Sequence, residues 1–334
     1  MTQTETLSLG EIEVLAYDAL TRAGAQAEAA RALARATAET EADGVVSHGL
    51  AYIPIYCEHL RCGKVDGAAH PIITRPKPGL VLADAATGFA HTAITAGFAA
   101  LIPAARDQGI AALAVSNSYN CGVLGVHTLT LARAGFLALG FTNAPASIAP
   151  SGGTRPVVGT NPISLAAPDG AGGAALLIDQ SASTIAKSEI MKHAREGLPI
   201  PEGWGLDADG NPTTDPEVAL KGSMAPSGGY KGVGLALLVE TMAAAMTGAN
   251  LGMDASPFSG TAGGPPRTGQ VFIAIDAATS SGGAFAARIA RLTGEIRTME
   301  GTRLPGDGRA RARARAQTMG VAVSVATLDK IRAL

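Results

Sequence analysis

The sequence predicts an α/β layered protein with a mixed central sheet and flanking helices. Three observations carry that expectation: continuous apolar runs of strand length at 110–115, 136–141 and 271–275, helical patterns between them, and Gly-, Ser- and Asn-rich loops where the runs end. A short apolar run bounded by turn residues is the pattern of a strand buried on both faces. Its alternation with helices is the pattern of a sheet covered by helical layers.

Taken in order, Ser8 and Glu11 have the spacing of a capping box, so a helix begins there and continues through Leu15 and Leu20. A second, Ala-rich helix spans about 26–42 and ends near Gly44. Over 47–60, His48, Tyr52 and Tyr56 recur at intervals of four, which on a helix places them on one face. Prolines and glycines make 63–78 an extended connection, followed by a strand at 81–86 and a helix at 92–107. The strands at 110–115 and 136–141 flank a helix at 122–134. Further apolar runs at 163–167 and 176–178 end at Pro168 and Asp179.

The second half is less regular. Residues 195–216 read as an irregular excursion, of the kind that serves as a lid or an interface arm. An almost wholly apolar helix at 232–246, interrupted by Glu240, is expected to be buried on most sides. A Gly-, Pro- and Ser-rich stretch at 252–269 precedes the strand at 271–275 and a helix at 283–292. Arginines at 309, 311, 313 and 315 spread around a helix and read as a solvated face. No composition break separates domains. The expected division is an N-terminal helical region (1–75) carrying the candidate catalytic histidine, an α/β cofactor-binding core (76–310) and a C-terminal helical tail (311–334).

A chain of 334 residues with 47% hydrophobic and 16% charged residues can bury a full core. Its net charge of -2 gives no general attraction to nucleic acid, so any anion must be held locally. No unbroken apolar stretch has the length of a membrane span. The N-terminus lacks the pattern of a secretory signal. Cys57, Cys62 and Cys121 show no Cys-x-x-Cys spacing, and a reduced, cytoplasmic protein is expected.

Four loops and one upstream triplet concentrate the chemistry: 115–122, 159–162, 179–183 and 226–232, with Ser47-His48-Gly49. Each loop places small or hydrogen-bonding residues past an apolar run, where strand ends and helix starts present backbone N–H groups to an anion. Lys231 adds a point charge at a helix start. The ordinary motifs do not account for them. A Gly-x-G-x-x-Gly turn after a strand is missing, Gly228 to Gly234 has the wrong spacing for a Rossmann or Walker loop, and the six histidines build no metal site. A Ser47/His48/Asp179 hydrolase is disfavoured because Gly-x-Ser-x-Gly is missing and a serine cannot easily aim its hydroxyl at the adjacent imidazole. Asp179 needs a partner at the end of its buried run. An imidazole is the most economical one, because a carboxylate on one ring nitrogen fixes the tautomer and raises the basicity of the other.

Together these motifs resemble the type-2 malate/L-lactate dehydrogenases, nicotinamide-dependent 2-oxoacid and imino-acid reductases without a Rossmann domain. The resemblance rests on Asp43-Gly44 with Ser47-His48-Gly49 and Tyr56, Asn117-Ser118, the segment from Thr142-Asn143 to Gly159-Thr160-Asn161-Pro162, and Asp179-x-Ser181-x-Ser183. It continues through Ile200-Pro201-Glu202-Gly203-Trp204 with Asp207 and Pro226-x-Gly228-Gly229-x-Lys231-Gly232. It implies His48 as the proton donor with Ser47 and Asp179 as relay partners, and a substrate site at Tyr52, Tyr56, Asn120 and Thr160. The implied cofactor contacts are Asn120, Gly122, Thr160, Asn161, Asp179, Ser181, Ser183, Lys187, Gly229, Lys231, Arg303 and Arg309.

Lys187, Arg303 and Arg309 as a 2′-phosphate clamp favour NADPH over NADH, and the resemblance implies a homodimer. Two positions depart from the family pattern: Tyr52 stands where an arginine is usual and Asn120 where histidine is frequent. Tyrosine cannot make the two-pronged contact that arginine offers a carboxylate, and asparagine cannot titrate. The expected reaction interconverts a small 2-oxoacid and its 2-hydroxyacid, of malate, lactate or sulfolactate type. The segment 263–266 is similar to the sulfolactate dehydrogenase branch. The alternative is reduction of a cyclic ketimine such as piperideine- or pyrroline-2-carboxylate. An alternative of another class is a nucleotide-binding protein without turnover.

Overall fold

The computed structural model describes residues 3–334. The chain begins with β1 (Thr4–Leu7), α1 (Leu9–Arg22) and α2 (Ala27–Ala42). Two short 3-10 turns, Val46–His48 and Leu50–Tyr52, lead into α3 (Ile53–Arg61). Then come β2 (Ile72–Lys77), β3 (Leu80–Asp84), α4 (Ala90–Gln108), β4 (Ile110–Ser118), α5 (Leu124–Arg133), β5 (Leu137–Thr142), β6 (Ile163–Pro168) and β7 (Ala174–Gln180). The excursion contains α6 (Lys187–Glu196), β8 (Gly205–Leu206), β9 (Pro212–Thr213), α7 (Pro216–Lys221) and β10 (Ser223–Met224). Last are α8 (Tyr230–Glu240), β11 (Thr268–Ile275), α9 (Ala277–Ser280), α10 (Phe285–Thr298), α11 (Asp307–Met319), β12 (Val321–Ser324) and α12 (Val325–Arg332).

Seven strands form the central sheet in the order β2-β3-β4-β11-β5-β6-β7. Only β3 and β4 pair in parallel, joined by α4, and every other neighbour is antiparallel. The sheet is therefore mixed, as the sequence predicts. β11 inserts between β4 and β5, opposing Val271 to Ala114 on one side and to Phe141 on the other. One sheet face buries Leu113, Leu131, Phe98 and Phe272 beneath the helices α4 and α5. The other buries Phe141 and Val271 against Val239 and Ala243. A separate N-terminal core joins Ile12, Leu33, Ile53 and Tyr56 to Phe89 and Tyr119.

Local chemistry explains the termini of these elements. The Ser8 hydroxyl caps the Glu11 N–H while the Glu11 carboxylate accepts from the Ser8 N–H at 2.7 Å, so α1 begins where expected. Gly109, at φ 76°, ends α4 in the left-handed region that glycine adopts without a Cβ penalty.

Several expectations need correction. The helix expected at 47–60 is two 3-10 turns followed by α3, because the Leu50 N–H turns to the Glu41 side chain. The extended connection holds β2, and the excursion is built around α6, α7 and a small three-stranded sheet. The C-terminal tail is not helical throughout: β12 pairs antiparallel with β1. The 232–246 helix breaks into a π turn at Thr241–Ala245, and Tyr230, Leu237, Leu238 and Met246 are exposed. Within the arginine run, Arg309 and Arg313 turn inward, one helical turn apart. A step of two residues rotates a helix by roughly 200°, which separates the face of 309 and 313 from that of 311 and 315. Among the described residues no helix is long and apolar enough to cross a membrane, and no group of side chains could hold a metal ion.

Candidate active site

Ser47 and His48 occupy the first 3-10 turn, held from below by α2. Glu41, in the last turn of that helix, is 4% exposed, and its Oε1 accepts the Leu50 N–H at 2.7 Å. A Cβ on Gly49 would lie 2.1 Å from this oxygen, so glycine is required for the backbone to pass over the carboxylate. Burial raises the Glu41 pKa, partly offset by the Leu50 hydrogen bond. Sequence reasoning missed Glu41; its one visible signal is a carboxylate in the buried last turn of a helix.

The Ser47 hydroxyl lies 2.9 Å from His48 Nδ1, so the serine does reach the adjacent ring, contrary to the expectation from the sequence. The Val46–His48 turn brings the two side chains to the same side. Burial lowers the His48 pKa, the Asp179 carboxylate opposes that shift, and the Arg309 guanidinium adds to it. His48 thus senses Asp179, yet the direct partners of that carboxylate are others. Arg309 Nη1 lies 2.9 Å from Asp179 Oδ2, and the Gly125 N–H at the start of α5 donates to the same oxygen at 3.0 Å. The expected imidazole partner of Asp179 is replaced by a guanidinium and a helix N-terminus. Arg309 is therefore engaged by the Asp179 carboxylate, and both charges act on the His48 ring through space.

An aromatic wall continues from the imidazole. The Tyr52 ring is parallel to His48 at 6.1 Å, and Tyr56 meets Tyr52 edge-on at 4.7 Å. The Tyr56 hydroxyl donates to Asn120 Oδ1 at 3.1 Å, and the same oxygen accepts the Gly122 N–H, also at 3.1 Å. Gly122 has φ 64°, and a Cβ there would lie 3.2 Å from His91 Nε2. Burial pushes the Tyr52 hydroxyl up to about 12. Both tyrosines are thus neutral donors at ordinary pH.

Thr160 is half-buried, while Asn161 is fully buried and spends its side chain inside the protein. Asn161 Nδ2 donates to Ala236 O at 2.9 Å and Glu240 Oε2 at 2.6 Å, and Oδ1 accepts the Ala144 N–H at 3.1 Å. It shapes the loop and has no side-chain group left for a ligand.

The 179–183 and 226–232 loops meet around a cavity of about 460 Å³, lined by Ser181, Ser183, Ser227, Lys231 and Gly232. The Ser181 and Ser183 hydroxyls lie 3.0 Å apart, and Ser183 donates to Ile185 O at 2.7 Å. Lys231 is exposed at the start of α8, and among the described residues it makes no ion pair. Gly229, with φ 64°, precedes that helix, and Lys187 opens α6 beside the cavity wall at Ala186. Arg303 is exposed on the connection before α11. Hydroxyls, a free ammonium and two helix starts on one cavity form a donor set suited to phosphate oxygens.

Comparison with known proteins shows the family to which the chain belongs. A family model described as malate/L-lactate dehydrogenase matches residues 7–332. The chain is 42% identical over 303 residues to a (2R)-3-sulfolactate dehydrogenase (NADP(+)) of Chromohalobacter salexigens, covering 91% of this chain and 90% of that one. It is 39% identical over 312 residues to a Delta(1)-pyrroline-2-carboxylate reductase of Ancylobacter novellus, covering 92% and 91%. The solved delta1-piperideine-2-carboxylate reductase of Pseudomonas syringae superimposes with a TM-score of 0.93 at 35% identity, covering 99% of each chain. On matched length, motif order and fold, the chain belongs to the malate/L-lactate dehydrogenase family.

Proposed function

We propose that this enzyme interconverts a small 2-oxoacid and its 2-hydroxyacid with NADPH, His48 delivering and recovering the proton. As a member of its family the chain is an NAD(P)-dependent oxidoreductase. The observation that carries the assignment of roles is the Ser47–His48 contact at 2.9 Å, set beside the Arg309–Asp179 pair at 2.9 Å. In the imidazolium, Nδ1–H donates to the Ser47 oxygen, leaving Nε2–H for the substrate. Asp179 stabilises that charged ring through space. The nicotinamide, when bound, supplies the hydride.

Ser181, Ser183, Ser227 and Lys231 fit the phosphates, with Lys187 and Arg303 as the cations free to favour the extra phosphate of NADPH. Tyr52, Tyr56, Asn120 and Thr160 line the substrate side. Reduction of a cyclic ketimine is the second reading. What favours it is the half-buried Tyr52 ring, backed edge-on by the buried Tyr56, which gives a planar ring a surface to lie on where the family's usual arginine is missing. The exposed apolar residues Tyr230, Leu237, Leu238 and Met246 along one helix support a homodimer, and the free cysteines support a cytoplasmic location.

The test is NADPH absorbance decay with a panel of 2-oxoacids and cyclic imines. His48→Asn should lower turnover about a hundredfold or more and leave NADPH affinity unchanged, the scale for losing a general acid. Full turnover in His48→Asn removes this residue from the mechanism. Tight NADPH binding without decay on any substrate favours a nucleotide-binding protein that does not turn over.

A further inference from the structure

The Gly-, Pro- and Ser-rich stretch after α8 crosses the N-terminal core as a strap without helix or strand from 251 to 267. Both ends are pinned. The Gly252 N–H donates to the buried Glu240 carboxylate at 2.6 Å, and the Asn250 side chain donates to Pro266 O at 3.1 Å. Between those pins the strap has little hydrogen bonding of its own, one instance being Ser256 to Gly264 O at 2.5 Å. Its middle is held from beneath by two side chains that are 0% exposed, Lys64 and His59.

Lys64 Nζ donates to Pro257 O at 2.6 Å and to Gly260 O at 3.1 Å, and among the described residues it pairs with no carboxylate. A buried ammonium is costly unless its donors are satisfied, so the two strap carbonyls are what makes this lysine tolerable in the core. His59 Nε2 lies 3.0 Å from the same Gly260 carbonyl, which can only accept, so this nitrogen carries the proton. Its Nδ1 then accepts from the Tyr119 hydroxyl. The ring is neutral, with both nitrogens used.

The latched segment carries Phe258 onto the aromatic wall. The Tyr52 hydroxyl donates to Phe258 O at 3.4 Å, and the Phe258 ring lies 5.7 Å from that of Tyr119. Tyr52 is the residue whose other side stacks on His48. The strap therefore ends one ring away from the imidazole. Resting on the reductase reading above, we propose that the strap roofs the substrate pocket, with Phe258 as a specificity-determining residue and Lys64 as the positioning residue that latches it. The substrate it fits is a small planar acid held between Phe258 and the Tyr52 ring, which Tyr56 backs from the core.

The test uses Phe258→Ala, Lys64→Met and the double variant in the full chain. Phe258→Ala should raise substrate KM about tenfold, the factor equivalent to about 1.4 kcal/mol, with kcat changed less and NADPH affinity unchanged. Lys64→Met should reproduce that split, and the double variant should be no worse than Phe258→Ala, because the lysine acts only through the strap. Hydrogen exchange of 252–267 should quicken in Lys64→Met. A KM within twofold of wild type in Phe258→Ala, or effects that multiply in the double variant, overturns the proposal. Unchanged strap exchange in Lys64→Met overturns the latch without reference to turnover. Wild-type protein inert toward every oxoacid and cyclic imine instead overturns the functional reading, while the exchange result still decides the latch. If Lys64→Met does not fold, Phe258→Ala, at a half-buried position on an irregular loop, decides the roof by itself.

Discussion

Arg309 and Asp179 form an ion pair at 2.9 Å, and their two charges push the His48 imidazole in opposite directions. Burial is the largest influence and places the His48 pKa below the ordinary 6.5. Reduction consumes the imidazolium, so its rate falls as pH rises through that lowered pKa; oxidation uses the neutral ring and rises over the same window. Removing the cation in Arg309→Met leaves the carboxylate unopposed and should move the limb to higher pH. Asp179→Asn should move it lower. Profiles of kcat/KM that do not move, or move the other way, would separate this pair from His48.

Lys231 should contribute to cofactor affinity more than to chemistry. Its ammonium stands free beside Ser181, Ser183 and Ser227, and a charge-assisted contact to phosphate makes Lys231→Ala weaken NADPH binding about tenfold. Fluorescence titration reads this directly, and kcat at saturating NADPH should stay near wild type. An unchanged affinity would place the phosphates elsewhere.

Gly49 and Glu41 set the catalytic turn. A methyl group at Gly49 would fall 2.1 Å from Glu41 Oε1, in a site that cannot open without losing the Leu50 hydrogen bond. Gly49→Ala should cost about 1–3 kcal/mol in urea unfolding, the usual scale of overpacking, and depress kcat as the turn shifts. Glu41→Gln keeps an acceptor for Leu50 and should retain most activity, whereas Glu41→Ala should not.

Asn161 acts through the fold. Its three internal hydrogen bonds tie the 159–162 loop to Ala144, Ala236 and Glu240, and Glu240 in turn holds Gly252. Asn161→Ala should lower unfolding free energy by about 1–3 kcal/mol, the cost of leaving buried groups unpaired. Equilibrium denaturation checks it, and a variant as stable as wild type would return Asn161 to the list of ligand contacts.

Much of the architecture was legible in the residues themselves. The capping box at Ser8 and Glu11, the buried strands and the loops at their ends depend on neighbours close in sequence, which a linear reading captures. Family motifs in order from Asp43 to Gly232 determined the class of chemistry. What the tertiary structure decided is who pairs with whom. β11 enters the middle of the sheet from far along the chain, because its two apolar faces are covered only between β4 and β5 with helices on both sides. The arginine run looked like a solvated face, yet two of its members meet the carboxylates of Glu39 in α2 and Asp179 in β7. Lys64 gave no local sign of being buried, since only the returning carbonyls of Pro257 and Gly260 make that burial affordable. Periodicity and caps are short-range and survive in a string of letters; the satisfaction of a buried charge depends on atoms brought from hundreds of residues away.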